Sequence, residues 1–141
     1  FLEAANLARC RFAPAGTKDV AGVSATRMTF QETAKPTLVR LDMAQDIAAT
    51  GWFLVDPASG AVVGTMLQLV FPSNNAVIEL EVRYERDANL GLWVPVEMAE
   101  TYSVRGTTME RRALLDARAE YSRFRRFQVT SETETKVKIV K

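Results

Sequence analysis

Residues 77–84 read VIELEVRY, and apolar and polar residues alternate along this run. The even positions from Ile78 to Tyr84 are apolar or aromatic, whereas positions 79, 81 and 83 are charged. Successive side chains of a β-strand point to opposite faces, so the run predicts a strand with one buried and one solvated face. Similar alternation recurs over residues 62–102, which favours an antiparallel β domain.

The clearest turn signal is the pentapeptide Asp56-Pro57-Ala58-Ser59-Gly60. Proline fixes φ for the first corner of a type I turn, the aspartate can accept a backbone N–H ahead of it, and the glycine allows a positive φ. The pentapeptide therefore predicts a hairpin between strands 51–56 and 61–71.

Further strands are predicted on both sides of this hairpin. Strand 51–56 is expected at the centre of the sheet because both of its faces are apolar. Pro95 places strand 92–103 at an edge or next to a bulge, and Pro36 makes 37–41 a short edge strand. Two other segments are less regular: 42–50 is predicted as a loop or one helical turn, and 109–116 as a helical turn or a loose strand. The strand 117–130 is expected to be bent, with an irregularity near 122–125. The remaining predicted strands are 7–14, 23–32, 76–85 and 136–141.

These strands follow one another in sequence-adjacent hairpins. We therefore expect a single all-β domain over residues 1–141, an antiparallel meander of about 8–10 strands curled into an open barrel or half-barrel. The chain begins at Phe1 instead of methionine, which suggests a processed or trimmed fragment of a longer protein. No run reaches the ~18 apolar residues of a membrane helix, so a membrane-spanning protein is not expected.

The composition argues against several kinds of site. Among 141 residues there is no histidine and one cysteine, which leaves no ligand set for ordinary zinc, copper or haem centres. The 18 basic and 17 acidic residues give a net charge of +1, so the overall charge does not steer the protein towards nucleic acid. Cys10 lies between arginines that could activate a thiol, but we expect a small buried apolar residue, because no histidine can pair with it. No cofactor or metal is predicted.

The carboxylates give little reason to expect an enzyme. The pairs Glu79/Glu81 and Glu97/Glu100 could serve acid–base catalysis of the glycosidase type, but such neighbours occur on any polar sheet face. The chain has no motif in which a lysine or histidine base activates a serine. We therefore predict that the protein is not an enzyme.

Charge is distributed unevenly along the chain. Residues 79–100 carry six acids and two bases, whereas residues 105–126 carry seven arginines and three acids. The basic segment, with Tyr121, Phe124 and Phe127, could stack on single-stranded nucleic acid. The net charges of the two segments are equal and opposite, which favours instead that they form neighbouring strands whose side chains pair across the sheet. No nucleic-acid partner is predicted.

Two tryptophans suggest an apolar ligand site, since a curved meander of this length tends to enclose space. We predict a non-enzymatic binding module that holds an apolar small molecule, a lipid or a protein partner on the curved sheet. The alternative for the same side chains is core packing. The candidate ligand-binding residues are Trp52, Leu54, Leu67, Leu69, Leu80, Trp93 and Met98.

Two other classes remain open. A structural subunit could self-associate through exposed strand edges at 37–41 and 137–141, because edges offer unpaired backbone groups. An eight-stranded outer-membrane barrel needs alternating strands of about ten residues, but charges populate many strand faces and aromatic girdles are sparse.

Four blocks of sequence follow one another along most of the chain: FQE (30–32) with KPTLVR (35–40), GWFLVDPASG (51–60), LGLWVPVEM (90–98) and YSRFRRF (121–127). In this order they resemble a family of uncharacterised exported bacterial proteins. The resemblance implies a periplasmic or extracellular location and a longer exported parent protein, and it carries no site residues. The hairpin pattern is also similar to the periplasmic lipoprotein-carrier half-barrel, a curved sheet that shelters acyl chains, although the long N-terminal helix of such carriers is lacking.

Overall fold

The computed structural model describes residues 1–20, 22–41, 45–105 and 111–126. Within these ranges one short helix, α1 (Ala4–Leu7), precedes nine strands. The strands are β1 (Cys10–Val20), β2 (Val23–Glu32), β3 (Val39–Leu41), β4 (Gln45–Ile47), β5 (Ala49–Val55), β6 (Val62–Phe71), β7 (Ala76–Asp87), β8 (Leu92–Arg105) and β9 (Arg111–Glu120).

Seven of these strands form one antiparallel sheet in the order β1-β2-β5-β6-β7-β8-β9. Sequence neighbours pair throughout, except that the separate hairpin β3–β4 is inserted between β2 and β5. The predicted all-β antiparallel meander is confirmed. Among the described residues the order starts at β1 and ends at β9, and no closed or curled barrel is detected.

The register of the sheet separates two faces. Phe30 of β2 is opposite Gly51 of β5, which is opposite Leu67 of β6 and then Leu80 of β7, and these residues share what we call the aromatic face. Trp52, Met66, Glu81 and Ala99 are aligned in the same way on the other side, the charged face. The first core, on the aromatic face, consists of Phe30, Ile47, Ala49, Phe53 and Leu69, and the second core, on the charged face, consists of Ala25, Trp52, Leu54 and Val63.

Phe30 is the centre of the first core. Its ring stacks on Phe53 with the centroids 4.9 Å apart, and the rings of Phe1 and Phe12 lie 5.3 and 6.3 Å away. A Cβ on Gly51 would lie 2.8 Å from Cε1 of Phe30 and would overlap the carbonyl oxygen of Met66. The aromatic cluster therefore depends on the missing side chain at position 51.

A buried carboxylate ties the β3–β4 segment to the sheet. Glu32 is 2% exposed and accepts the N–H of Leu38 at 2.8 Å and that of Ala49 at 3.4 Å. The guanidinium of Arg9 lies beside the same carboxylate, 3.8 Å from Oε1. Ile47 of β4, which is 1% exposed, packs into the first core, so the hairpin covers one end of the aromatic face.

The hairpin predicted at residues 56–60 is confirmed. Asp56 accepts the N–H of Ala58 at 3.0 Å through its side chain and the N–H of Gly60 at 2.8 Å through its carbonyl. Gly60 has φ of 72°, which an L-residue rarely adopts. The hydrogen bond from Ser59 Oγ, followed by that from Ala58, holds the pKa of Asp56 below its usual range.

The alternative of a bulge at Pro95 is also confirmed. Strand β8 lies inside the sheet between β7 and β9, and its register against β7 shifts between Arg83 and Tyr84, where Tyr84 is opposite Pro95. The register skips Val96, the residue next to Pro95, and proline within a sheet is tolerated at such bulges because the hydrogen-bond ladder is already interrupted there.

Several predicted boundaries are wrong because tertiary pairing overrides the local turn signals. Residue 7 belongs to α1, and β1 continues through the predicted turn at Pro14, with a register shift between Pro14 and Thr17. Proline is tolerated there because β1 is the edge of the sheet. The region predicted as a loop at 42–50 contains β4 and the start of β5, which the contacts to Glu32 and the first core hold in place.

The strands near the end of the described chain also differ from prediction. Arg111–Glu120 is one strand, so the strand alternative holds for the described part of 109–116, and among the described residues the strand predicted at 117–130 ends at Glu120. Pairing with β8 explains this, because Met98 is opposite Ala119 and Tyr102 is opposite Leu115. The strand predicted at 136–141 lies outside the described residues.

We expect Gly51→Ala to lower the free energy of unfolding by more than about 3 kcal/mol, because the new methyl group meets backbone atoms that cannot rotate away. Gly64→Ala is the matched control, since its Cβ would meet the flexible side chain of Leu54 at 3.1 Å. Urea unfolding followed by tryptophan fluorescence measures both changes. Equal stabilities of the two variants would contradict the packing described for Phe30.

Candidate functional site

An open groove of about 450 Å³ lies on the aromatic face. The groove crosses the four adjacent strands β2, β5, β6 and β7, which supply most of its lining residues. The N-terminal segment contributes two further lining residues, Phe1 and Leu2. The lining residues are Phe1, Leu2, Phe30, Phe53, Val62, Thr65, Leu67, Leu80, Val82 and Tyr84. Met66 also adjoins the groove, although its register places it on the charged face, where it borders a second depression with Trp52 and Glu81.

The pleat of the sheet positions these side chains. Phe53 is opposite Thr65, and Thr65 is opposite Val82, so three strands contribute to one row across the groove. Phe30 and Phe53 form a stacked pair at one end, where Phe1 packs on Phe30. The groove is therefore built on paired strands of the central sheet, which hold its shape.

The chemistry of the groove is apolar. Thr65 and Tyr84 are the polar side chains among the described lining residues, and none of these residues is an aspartate, glutamate, lysine or arginine. A surface of this kind can shelter hydrocarbon from water, and its lining offers no acid–base pair for catalysis.

The structure divides the seven predicted ligand-binding residues between the two faces. Leu67 and Leu80 line the groove together. Leu69 is buried in the first core, and Met98 is opposite Val82 one strand beyond the groove. The second core contains Trp52 and Leu54, and Trp93 packs against it, so these three do not join the groove.

Sequence reasoning missed several groove residues. Val82 and Tyr84 share the alternation of Leu80 in the run that reveals the fold, so the pattern could have identified them. Phe30 and Phe53 could not be assigned in this way, because residues flanking Phe53 on β5 are also apolar and the sequence does not show which face carries the groove.

The charged face carries a network of ion pairs. Arg83 contacts Glu85 and also Glu97 at 3.5 Å, and Arg118 of β9 contacts Glu97. Hydrogen bonding to Glu85 is the largest cause of the raised pKa of Arg83. The Arg118–Glu97 pair joins the predicted basic segment to the acidic one across the neighbouring strands β8 and β9, whereas both contacts of Arg83 lie within the acidic segment. The exposure of the partners makes each pair weakly stabilising.

Trp52 is enclosed by its own chain on the charged face. It is 8% exposed, with the guanidinium of Arg27 5.2 Å and the ammonium of Lys18 5.9 Å from its ring centroid. Both cations lie over the indole at distances that suit cation–π contacts. This environment is that of a core residue with a solvated rim.

Other chemistries have little support in the part of the chain that the structure describes. Cys10 is half-buried against the first core, and burial, followed by the charge of Glu32, raises the pKa of its thiol. Within the described ranges no three acidic, cysteine or histidine residues group so that they could hold a metal ion, and no helix has the length and apolarity to cross a membrane.

Comparison with known proteins matches no family model, no curated protein and no solved structure.

We expect Trp52→Ala to lower the free energy of unfolding by about 3–5 kcal/mol, because it leaves a large cavity in the second core. Lys18→Ala is the control for the cation–π contact and should cost less than about 1 kcal/mol. Chemical unfolding followed by circular dichroism measures both. A loss below 1 kcal/mol for Trp52→Ala would show that this side chain is not part of the core.

Proposed function

We propose that this protein is a non-enzymatic binding module that holds an apolar small molecule in the groove of the aromatic face. The single observation that carries the proposal is the groove itself, about 450 Å³ of open space with a lining almost free of polar side chains. Small-molecule sites in proteins occupy about 300–1,000 Å³, so its size fits a small ligand.

The burial of the lining residues supports the proposal. Leu67, Leu80 and Val82 are only half-buried, whereas Val63 and Ile47 are fully covered by their own chain. A ligand that covers exposed apolar surface gains about 25 cal/mol for each Å² removed from water. A ligand in the groove could therefore gain free energy by covering apolar surface that the chain itself does not bury.

The wider setting is part of the same proposal. The ligand would be a lipid or another apolar molecule, the sheet would curve around it as an open barrel or half-barrel does, and the protein would act in the periplasm or outside the cell. The resemblance of four sequence blocks to exported bacterial proteins supports this location. A small ligand is preferred to a protein partner, because the volume of the groove, about 450 Å³, lies within the range of small-molecule sites.

The apolar fluorophore N-phenyl-1-naphthylamine tests the proposal. We expect saturable binding by the wild-type protein and at least about tenfold weaker binding by Leu80→Asn, because an amide in the groove must lose its hydration. Val70→Asn is the matched control, since Val70 is 45% exposed and lies opposite Val77, away from the groove.

Fluorescence titration measures the affinities, and urea unfolding confirms that both variants fold. Equal weakening by the two substitutions, or no saturable binding by the wild-type protein, would exclude the groove as the binding site.

Self-association through strand edges is a second candidate function. The observation that favours it is the exposure of Leu114 and Leu115, 63% and 55%, on β9 at the edge of the sheet. Of the edges predicted from the sequence, 37–41 includes β3, which pairs with β4 outside the main sheet, and 137–141 lies outside the described residues. A second copy would add a strand to β9 by backbone pairing.

If β9 joins two copies, the sedimentation coefficient of the wild-type protein should rise with concentration, and Leu114→Lys should keep the protein monomeric. Leu92→Lys is the control, because Leu92 is also exposed, at 52%, but lies at the start of the internal strand β8. A wild-type monomer that is independent of concentration would rule out this candidate.

A further inference from the structure

A carboxylate adjoins the groove at the end away from the N-terminal segment. Glu100 of β8 is directly opposite Leu80 of β7, which lines the groove, and cross-strand partners of this kind share a face with Cβ atoms about 4.5–5.5 Å apart. Phe1 packs on Phe30 of β2, at the other end. The groove therefore extends from the rings of Phe1 and Phe30 towards the carboxylate of Glu100.

A neighbouring hydroxyl fixes the orientation of this carboxylate. Tyr102, two residues along the same strand, donates its O–H to Oε1 of Glu100 at 2.6 Å. The hydrogen bond to Glu100 is the main cause of the raised pKa of Tyr102. Among the described residues Oε2 of Glu100 has no hydrogen-bond or ion-pair partner, so one oxygen remains available to a ligand.

The other charged side chains that the structure describes near the aromatic face do not neutralise the negative charge of Glu100. Glu32 is buried and accepts backbone N–H groups beside Arg9, so it does not face the groove opening. Arg86, the next cation along β7, is exposed in a separate depression where Arg123 and two acidic residues also lie. Arg118 contacts Glu97 on the charged face. Among the charged side chains that the structure describes, Glu100 is therefore the one next to the groove.

From this arrangement we infer that the ligand is an amphiphile with a cationic head group, an amine or a quaternary ammonium. Its apolar tail lies in the groove towards Phe30, and its head lies at Glu100. The inference rests on the proposed function, since it names the class of ligand that the same groove takes. A fatty-acid carboxylate would place like charges together and is disfavoured.

Three probes with the same tail and different head groups test the inference. Dodecyltrimethylammonium, 1-dodecanol and dodecanoate would each compete with N-phenyl-1-naphthylamine at concentrations below micelle formation. For the wild-type protein at low salt, we expect the cation to bind at least about tenfold tighter than the anion, with the alcohol in between.

Glu100→Gln should remove this preference and leave the affinity for dodecanol unchanged. Glu81→Gln is the matched control, because it makes the same change to an exposed carboxylate on the charged face and should keep the preference. Tyr102→Phe should reduce the preference by a smaller factor, since the carboxylate loses its orienting hydrogen bond but keeps its charge.

The outcomes separate the two proposals. Equal binding of the three probes, tighter binding of dodecanoate, or a preference that survives Glu100→Gln would overturn the inference about the head group and leave the groove as an apolar site. Failure of the fluorophore and all three probes to bind would overturn the proposed function itself.

Discussion

The packing of the Phe30 ring against Gly51 is the constraint on which the rest of the structure depends. Because position 51 has no side chain, the ring can lie on β5, stack on Phe53 and contact the ring of Phe1. This cluster joins the first core to one end of the groove. Glu32, two residues along β2, anchors the β3–β4 segment that covers the same end of the sheet. Phe30 of β2 is thus shared by the first core and the groove, and Glu32 on the same strand anchors the β3–β4 segment.

The two faces of the sheet differ in how their central side chains are covered. On the charged face, the guanidinium of Arg27 lies over the ring of Trp52, and ion pairs through Glu97 connect β7, β8 and β9. On the aromatic face the central strands leave apolar side chains half-exposed. Exposed apolar surface that is contiguous and concave is a common property of ligand sites. The contrast is the physical reason for placing function on the aromatic face.

The sequence predicted the fold better than the site. Alternation in residues 77–84 and the turn at Asp56 are local signals, and local geometry determined the strands and hairpin there. The inserted strand β4 was missed because its place depends on Glu32 and the first core, contacts between residues distant in sequence. Trp52 and Leu80 were both expected at one site, but register places them on opposite faces. A sequence pattern shows which residues of one strand share a face, but only the pairing of the strands shows which residues of different strands share a face.

The central claim is that the groove on the aromatic face binds an apolar ligand. Its most direct test is a two-dimensional NMR titration of the labelled protein with dodecyltrimethylammonium. The account predicts saturable shifts that cluster at Leu67, Leu80, Val82 and Tyr84 and spread to Glu100, while Trp52 and Glu81 on the opposite face stay unchanged. Shifts centred on Trp52, or no saturable shifts on either face, would contradict it.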